Sequence, residues 1–151
     1  MALIYVILPM MTDLLIDTNI LIYAYDRESA FHDSSRTLIE NPDFNLFVTT
    51  KNISEFFAVC SKLKIPLSST FNFYSEIKSN SFVLFPTNNS LIIFEELIQK
   101  YMPKRNRVYD VEIVSLMLDN GIYFIATHNK KDFIQNEAFF GNTDLNCLRT
   151  S

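Results

Sequence analysis

The chain has 151 residues, of which 48% are hydrophobic and 20% charged, as expected for one globular domain with its own core rather than a disordered or fibrous chain. Its net charge of −4 argues against holding nucleic acid by phosphate contacts alone, although bound metal ions can supply the missing positive charge. With two glycines and neither G-x-x-x-x-G-K-[ST] nor G-x-G-x-x-G, the sequence excludes these glycine-rich phosphate loops.

The first twelve residues are the most apolar stretch of the chain. The run MALIYVILPMM is too short to cross a bilayer, and it lacks the basic region and cleavage site of a signal peptide. We interpret residues 1–12 as an extra strand or interface segment, or as a start-site artefact with translation beginning at Met10 or Met11. Residues 13–151 are then the folded domain, and no membrane partner is expected.

From residue 13 onward, short apolar runs alternate with segments of helical periodicity. Strands are predicted at residues 13–17, 46–49, 81–85, 122–126 and 144–148. Helices are predicted at residues 20–26, 30–40, 50–62, from Pro66 onward, 88–101 and 109–120, the last closed by Gly121. This alternation predicts an α/β protein, a three-layer α/β/α sandwich around a central parallel sheet of four to five strands.

Two cysteines, Cys60 and Cys147, stand far apart in the chain. They do not have the number or spacing of a secreted disulfide framework, and with His32 and His128 they form no zinc-ligand pattern. We interpret them as buried thiols of a protein in the reducing cytoplasm.

Three carboxylates fall where helices follow strands: Asp17, Glu55 and Asp110. Singly, they could be a helix cap, a solvated glutamate and a charge at a helix N-terminus. Together they are expected at the edge where parallel strands end, which is where such sheets carry their sites. Clustered carboxylates need a compensating cation, and an all-oxygen set favours Mg²⁺ or Mn²⁺ over zinc. Such a site can activate water for displacement at phosphorus.

Basic residues flank two of these positions. Lys104, Arg105 and Arg107 precede Asp110. A second basic group, Lys130 and Lys131, follows Thr127. Two interpretations stay open for both groups: solvated surface charge, or positioning of an RNA phosphate backbone.

Three segments resemble the PIN-domain family and, within it, the VapC-type toxins of prokaryotic toxin–antitoxin pairs. They are LLIDTNILIYAYD (14–26), TKNISEFFAVCSK (50–62) and RVYDVEIVSLMLDNGIYFIATHNKKDF (107–133). The resemblance extends from about residue 13 to residue 148. It implies that Asp17, Glu55 and Asp110 are the metal ligands, and that Thr18 or Asn19 supports the first of them.

The resemblance also assigns roles after the fourth strand. Thr127 matches a threonine that orients water at the metal, and Asn129 stands where many members carry a fourth acid. Because asparagine brings no charge, we expect one well-held metal, with a second only when substrate phosphate completes its shell.

The resemblance implies that the protein is a metal-dependent endoribonuclease that cleaves RNA. It further implies that the protein is the toxin of a toxin–antitoxin pair, that a small antitoxin protein is its partner, and that it forms a homodimer. Two alternatives remain open from the sequence. One is a PIN-fold nuclease outside toxin systems, acting in RNA processing or on DNA. The other is a catalytically weak module that binds RNA or a partner, for which Asn129 and the net charge of −4 are the best support. A receiver-type α/β domain is disfavoured, because its paired acids and late lysine are not visible.

Overall fold

The computed structural model describes residues 11–128 and the backbone of residues 146–148. The predictions for residues 1–10, Asn129, Lys130 and Lys131, and for the side chain of Cys147, lie outside this description. The strands are β1 (Thr12–Ile16), β2 (Phe44–Thr49), β3 (Phe82–Leu84), β4 (Phe124–Ala126) and β5 (Asn146–Leu148). The helices are α1 (Thr18–Tyr25), α2 (His32–Glu40), α3 (Thr50–Lys62), α4 (Leu67–Ser79), α5 (Asn88–Tyr101) and α6 (Arg107–Asp119).

The five strands form one parallel sheet in the order β3-β2-β1-β4-β5. Strands β2 and β3 are therefore added on one side of β1, and the chain then crosses to the other side of β1, where it forms β4 and β5. The reversal lies between β1 and β4, and a crevice for ligands opens at such a switch point, beyond the carboxyl ends of the strands.

Both faces of the sheet are buried, which explains why β1 is a continuous apolar run rather than an alternating one. Leu14 and Ile16 pack into a core with residues of α1, α2, α3 and α4. Leu15, between them, points to the opposite core, which contains Ile113 and Met117 of α6. The three-layer α/β/α sandwich predicted from the sequence is confirmed.

Element boundaries differ from the predictions by a few residues. β1 begins at Thr12, one residue inside the segment that we had separated from the domain. The last helix begins at Arg107 rather than Tyr109, so Asp110 lies within its first turn and does not open it. Gly121 has the expected left-handed backbone, with φ of +65°, directly after the C-cap Asn120.

Within the described residues, no helix is long and apolar enough to cross a bilayer.

Candidate active site

The carboxylate of Asp17 is fixed where β1 ends and α1 begins. Asp17 has an extended backbone, and its amide donates to the carbonyl of Ala126 at 3.0 Å, which joins the ends of β1 and β4. Its Oδ1 accepts from the amide of Thr18 at 2.8 Å. Asp17 is therefore the N-cap of α1, the role that its position alone already suggested. Capping and site chemistry are compatible, because each carboxylate oxygen keeps a further lone pair.

A second group of contacts holds the other oxygen of Asp17. Thr127 Oγ1 donates to Asp17 Oδ2 at 2.7 Å, and Asn19 Nδ2 donates to the same oxygen at 2.9 Å. Asn19 Nδ2 also reaches Thr127 Oγ1 at 3.1 Å, while its Oδ1 accepts from the amide of His128 at 3.2 Å. Thr127 is only 2% exposed. These neutral donors from α1 and the end of β4 orient the carboxylate.

Glu55 is held by a chain of polar side chains behind it. Thr18 Oγ1 donates to Glu55 Oε2 at 2.9 Å and accepts from Asn52 Nδ2 at 3.1 Å. Asn52 Oδ1 in turn accepts from the amide and the hydroxyl of Thr49, which close the capping box of α3. Asn52 and Thr49 are fully buried. Because the amide nitrogen of Asn52 can only donate, the Thr18 hydroxyl accepts from it and donates its own proton to Glu55.

Lys51 lies on the other side of Glu55. Its Nζ is 3.6 Å from Glu55 Oε1 and 3.5 Å from Glu112 Oε2. It also stands 3.7 Å above the centroid of the Tyr109 ring. Lys51 therefore connects α3 to the first turns of α6.

Asp110 is half-buried in the first turn of α6. In the sequence it stands between Tyr109 and Glu112, the two α6 residues that Lys51 contacts. Thr18 follows Asp17 directly and binds Glu55, so the structure brings the environments of these two acids together. Among residues 11–128, however, no three His, Cys, Asp or Glu side chains are arranged as a group that could hold a metal ion. The three-acid metal site stays a prediction.

The donor chemistry of the predicted ligands, which are all carboxylates, fits a hard divalent cation better than zinc. The ring of His128 packs among aromatic side chains, with its centroid 4.3 Å from that of the Phe31 ring and 4.9 Å from that of the Tyr23 ring. Burial in this aromatic cluster lowers the pKa of His128. Carboxylate oxygens such as those of Asp17 are the ligand type that Mg²⁺ and Mn²⁺ prefer.

The predicted RNA-binding residues lie in and beside the connection between α5 and α6. Lys104 and Arg105 are exposed, and Arg107 is half-buried at the start of α6. Arg105 has a left-handed backbone with φ of 56°, a conformation that costs a non-glycine residue about 1 kcal/mol. Because α6 begins at Arg107, the residues Lys104, Arg105 and Arg107 lie at the same end of this helix as Asp110.

Sequence reasoning missed three residues of this region: Asn52, Lys51 and Glu112. The spacing Thr49-x-x-Asn52 resembles a capping box and could have indicated the role of Asn52. The spacing of Lys51 and Glu55, four residues apart on a helix, could have indicated their pairing. Nothing local indicated Glu112, because its contact with Lys51 joins two helices that are distant in sequence.

The family model of the PIN domain matches residues 14–137. The chain belongs to the PIN domain family. No curated protein matches it at a significant level.

Solved structures of toxin–antitoxin proteins share this PIN fold. VapBC2 from Rickettsia felis, bound to a DNA fragment from their promoter, is 15% identical with a TM-score of 0.66, covering 91% of this chain and 98% of that one. VapBC-1 from nontypeable Haemophilus influenzae is 18% identical with a TM-score of 0.65, covering 92% and 98%. VapC20 from Mycobacterium tuberculosis, a Sarcin-Ricin loop cleaving toxin, is 13% identical with a TM-score of 0.58, covering 74% and 86%. At these identities the similarity shows the fold.

Proposed function

We propose that this PIN domain protein is a divalent-metal-dependent endoribonuclease that hydrolyses phosphodiester bonds of RNA, and that it is the toxin of a VapBC-type pair. The observation that carries the proposal is the fixed carboxylate of Asp17 at the switch point of the sheet. It is oriented by the Thr18 amide, Asn19 and Thr127, all of them neutral donors. A preorganised anionic oxygen of this kind is ready to bind a cation without rearrangement.

Asp17, Glu55 and Asp110 are the residues that would hold Mg²⁺ or Mn²⁺, and Asn129 is our candidate for a neutral fourth ligand. The bound ion would supply Lewis-acid activation of water and stabilisation of charge at phosphorus. Thr127 keeps the Asp17 carboxylate oriented, and Asn52 does the same for Glu55 through Thr18. Such supporting contacts commonly decide metal affinity.

RNA would be positioned by the basic side chains rather than by the net charge of the chain. Lys104 and Arg105 are exposed beside the first turn of α6, where they can reach a phosphate backbone. We also propose Arg107, Lys130 and Lys131 as residues that bind RNA.

We also propose a small antitoxin and a second copy of this chain as protein partners, in the cytoplasm. The fold similarity to VapBC complexes supports the antitoxin. Phe82, Phe85, Leu91 and Ile92 are each more than half exposed, and such apolar surface favours association. Light scattering of the purified chain is expected to give twice the monomer mass, and a purely monomeric protein would contradict the homodimer.

The proposed activity is tested by cleavage of structured RNA in Mn²⁺, comparing wild type with Asp17→Asn. This substitution keeps the size and the hydrogen-bonding oxygen but removes the charge, so we expect a loss of at least ~100-fold. Asp43→Asn, at an exposed residue just before β2, is the charge-matched control and should cleave like wild type. Equal rates for wild type and Asp17→Asn would refute catalysis at this site. RNA binding without cleavage would favour the non-catalytic module.

A further inference from the structure

Lys51 has more partners than a surface lysine in a helix commonly has. Its Nζ lies within 4 Å of Glu55 Oε1, of Glu112 Oε2 and of the Tyr109 ring centroid. Its side chain is only 17% exposed, although both carboxylates that it contacts are at least 40% exposed. The ammonium is therefore enclosed by groups from two helices, instead of extending into solvent.

The two residues of α6 that contact Lys51 are one helical turn apart, so they lie on the same side of the helix. Tyr109 supplies the face of an aromatic ring, and Glu112, three residues later, supplies a carboxylate on the same side of the helix. A single exposed ion pair of this kind stabilises a protein little. Here three contacts to one nitrogen connect the start of α3 to the start of α6.

This arrangement acts on Glu55. Its Oε2 accepts from Thr18 of α1, and its Oε1 faces Lys51. The carboxylate is thus held at both oxygens from different directions, which restricts its rotation. Because Lys51 is also tied to α6, the position of Glu55 is coupled to the helix that carries Asp110.

We propose that Lys51 is a positioning residue that sets the affinity of this acidic edge for a divalent cation. It does so by holding Glu55 in place and by docking α3 against α6, through Tyr109 and Glu112. The inference rests on the proposed function, since it takes Glu55 and Asp110 as ligands of the cation. Lys51 also brings a positive charge that repels the cation, and the proposal is that orientation outweighs this repulsion.

Mn²⁺ titration by calorimetry, on the purified full chain, separates these two effects. Lys51→Met keeps the aliphatic stem but removes the ammonium, and we expect Mn²⁺ to bind ~10-fold more weakly. Glu112→Gln leaves the Lys51 charge and its contact with Tyr109 in place and removes the carboxylate that pairs with Lys51 on α6, so it should also weaken binding, by several-fold. Lys51→Arg restores a cation with several donors and should return the affinity to within ~3-fold of wild type.

Lys78→Met is the matched control, because Lys78 also lies over an aromatic ring, 6.0 Å from the Tyr74 centroid on α4, away from the acidic edge. Its Mn²⁺ affinity should equal that of wild type. Thermal unfolding of each variant in EDTA shows whether the metal-free fold is intact. A Lys51→Met protein that is folded in EDTA and binds Mn²⁺ as tightly as wild type, or more tightly, would overturn the proposal.

The failure of this proposal can be distinguished from failure of the proposed function. If wild type binds Mn²⁺ and Asp17→Asn does not, while Lys51→Met matches wild type, only the role of Lys51 is refuted. If wild type does not bind Mn²⁺ at all, both proposals are refuted.

Discussion

The buried hydroxyl of Thr127 offers the sharpest test of how Asp17 is supported. Thr127→Val is nearly isosteric, so it creates no cavity. It removes the hydroxyl that donates to Asp17 Oδ2 at 2.7 Å and accepts from Asn19 Nδ2 at 3.1 Å. A hydrogen bond to a charged group contributes about 1.5–3 kcal/mol. The lower figure applies here, because Asp17 keeps its bonds from Thr18 and Asn19. For a domain of this size, about 1.5 kcal/mol corresponds to a fall in Tm of roughly 5 °C.

The effect on activity should exceed what this loss of stability explains. Without the Thr127 hydroxyl, the carboxylate of Asp17 loses one of the hydrogen-bond donors that orient it. The loss of such a supporting contact commonly costs ~10–100-fold in metal affinity or activity. RNA cleavage in saturating and in limiting Mn²⁺, together with urea unfolding, measures both consequences. We expect the defect to be larger in limiting Mn²⁺.

Thr70→Val is the matched control for this prediction. Thr70 is 1% exposed, and its hydroxyl donates to carbonyls of its own chain turn, at Pro66 and Leu67, far from Asp17 in the fold. It should lose about 1 kcal/mol of stability and no cleavage activity. If both valine variants lost cleavage equally, or if Thr127→Val cleaved like wild type, the assigned role of Thr127 would be wrong.

Three further predictions concern stability. Thr87 and Asn89 donate hydrogen bonds to the carboxylate of Asp119 and lower its pKa. These bonds therefore stabilise the fold fully above about pH 4, the pKa of an unfolded aspartate, and the stabilisation is lost as the pH falls through the lowered pKa of the folded state. In Asp119→Asn the Tm should differ less between pH 7 and pH 3 than it does in wild type. Gly121→Ala meets no atom within 4 Å but must adopt φ of +65°, so urea unfolding should show a loss of about 1 kcal/mol, and an unchanged midpoint would contradict the strain. Phe56→Ala, at a side chain only 2% exposed in the core beneath α3, should lower the free energy of unfolding by about 3–5 kcal/mol, whereas a loss under 1 kcal/mol would show that this core collapses around the gap.

The sheet and its helices were largely predictable, because burial leaves a local pattern. The run Leu14-Leu15-Ile16 has no polar side chain, since β1 is covered on both faces, and the sequence shows this directly. The alternation of such runs with helical segments then predicts the parallel sheet. Family resemblance extended this prediction to the PIN fold, and the family match confirms it.

The site was predictable only in outline. Asp17 could be placed at the end of a strand, but its function as N-cap and its bonds to Asn19 and Thr127 depend on the reversal of the chain between β1 and β4. The contact between Lys51 and Glu112 joins α3 to α6, and no local periodicity encodes a contact between helices so distant in sequence. Side-chain partners across a fold follow from tertiary packing, and propensity or spacing does not specify them.

We propose that Asp17, Glu55 and Asp110 together hold one catalytic divalent cation. Crystals of the protein soaked in Mn²⁺ test this directly, through anomalous diffraction near the manganese edge. We expect an anomalous peak within coordination distance of Asp17, Glu55 and Asp110 in wild type, and no peak there in Asp17→Asn. A wild-type crystal with no peak at this edge of the sheet, or with a peak that persists in Asp17→Asn, would contradict it.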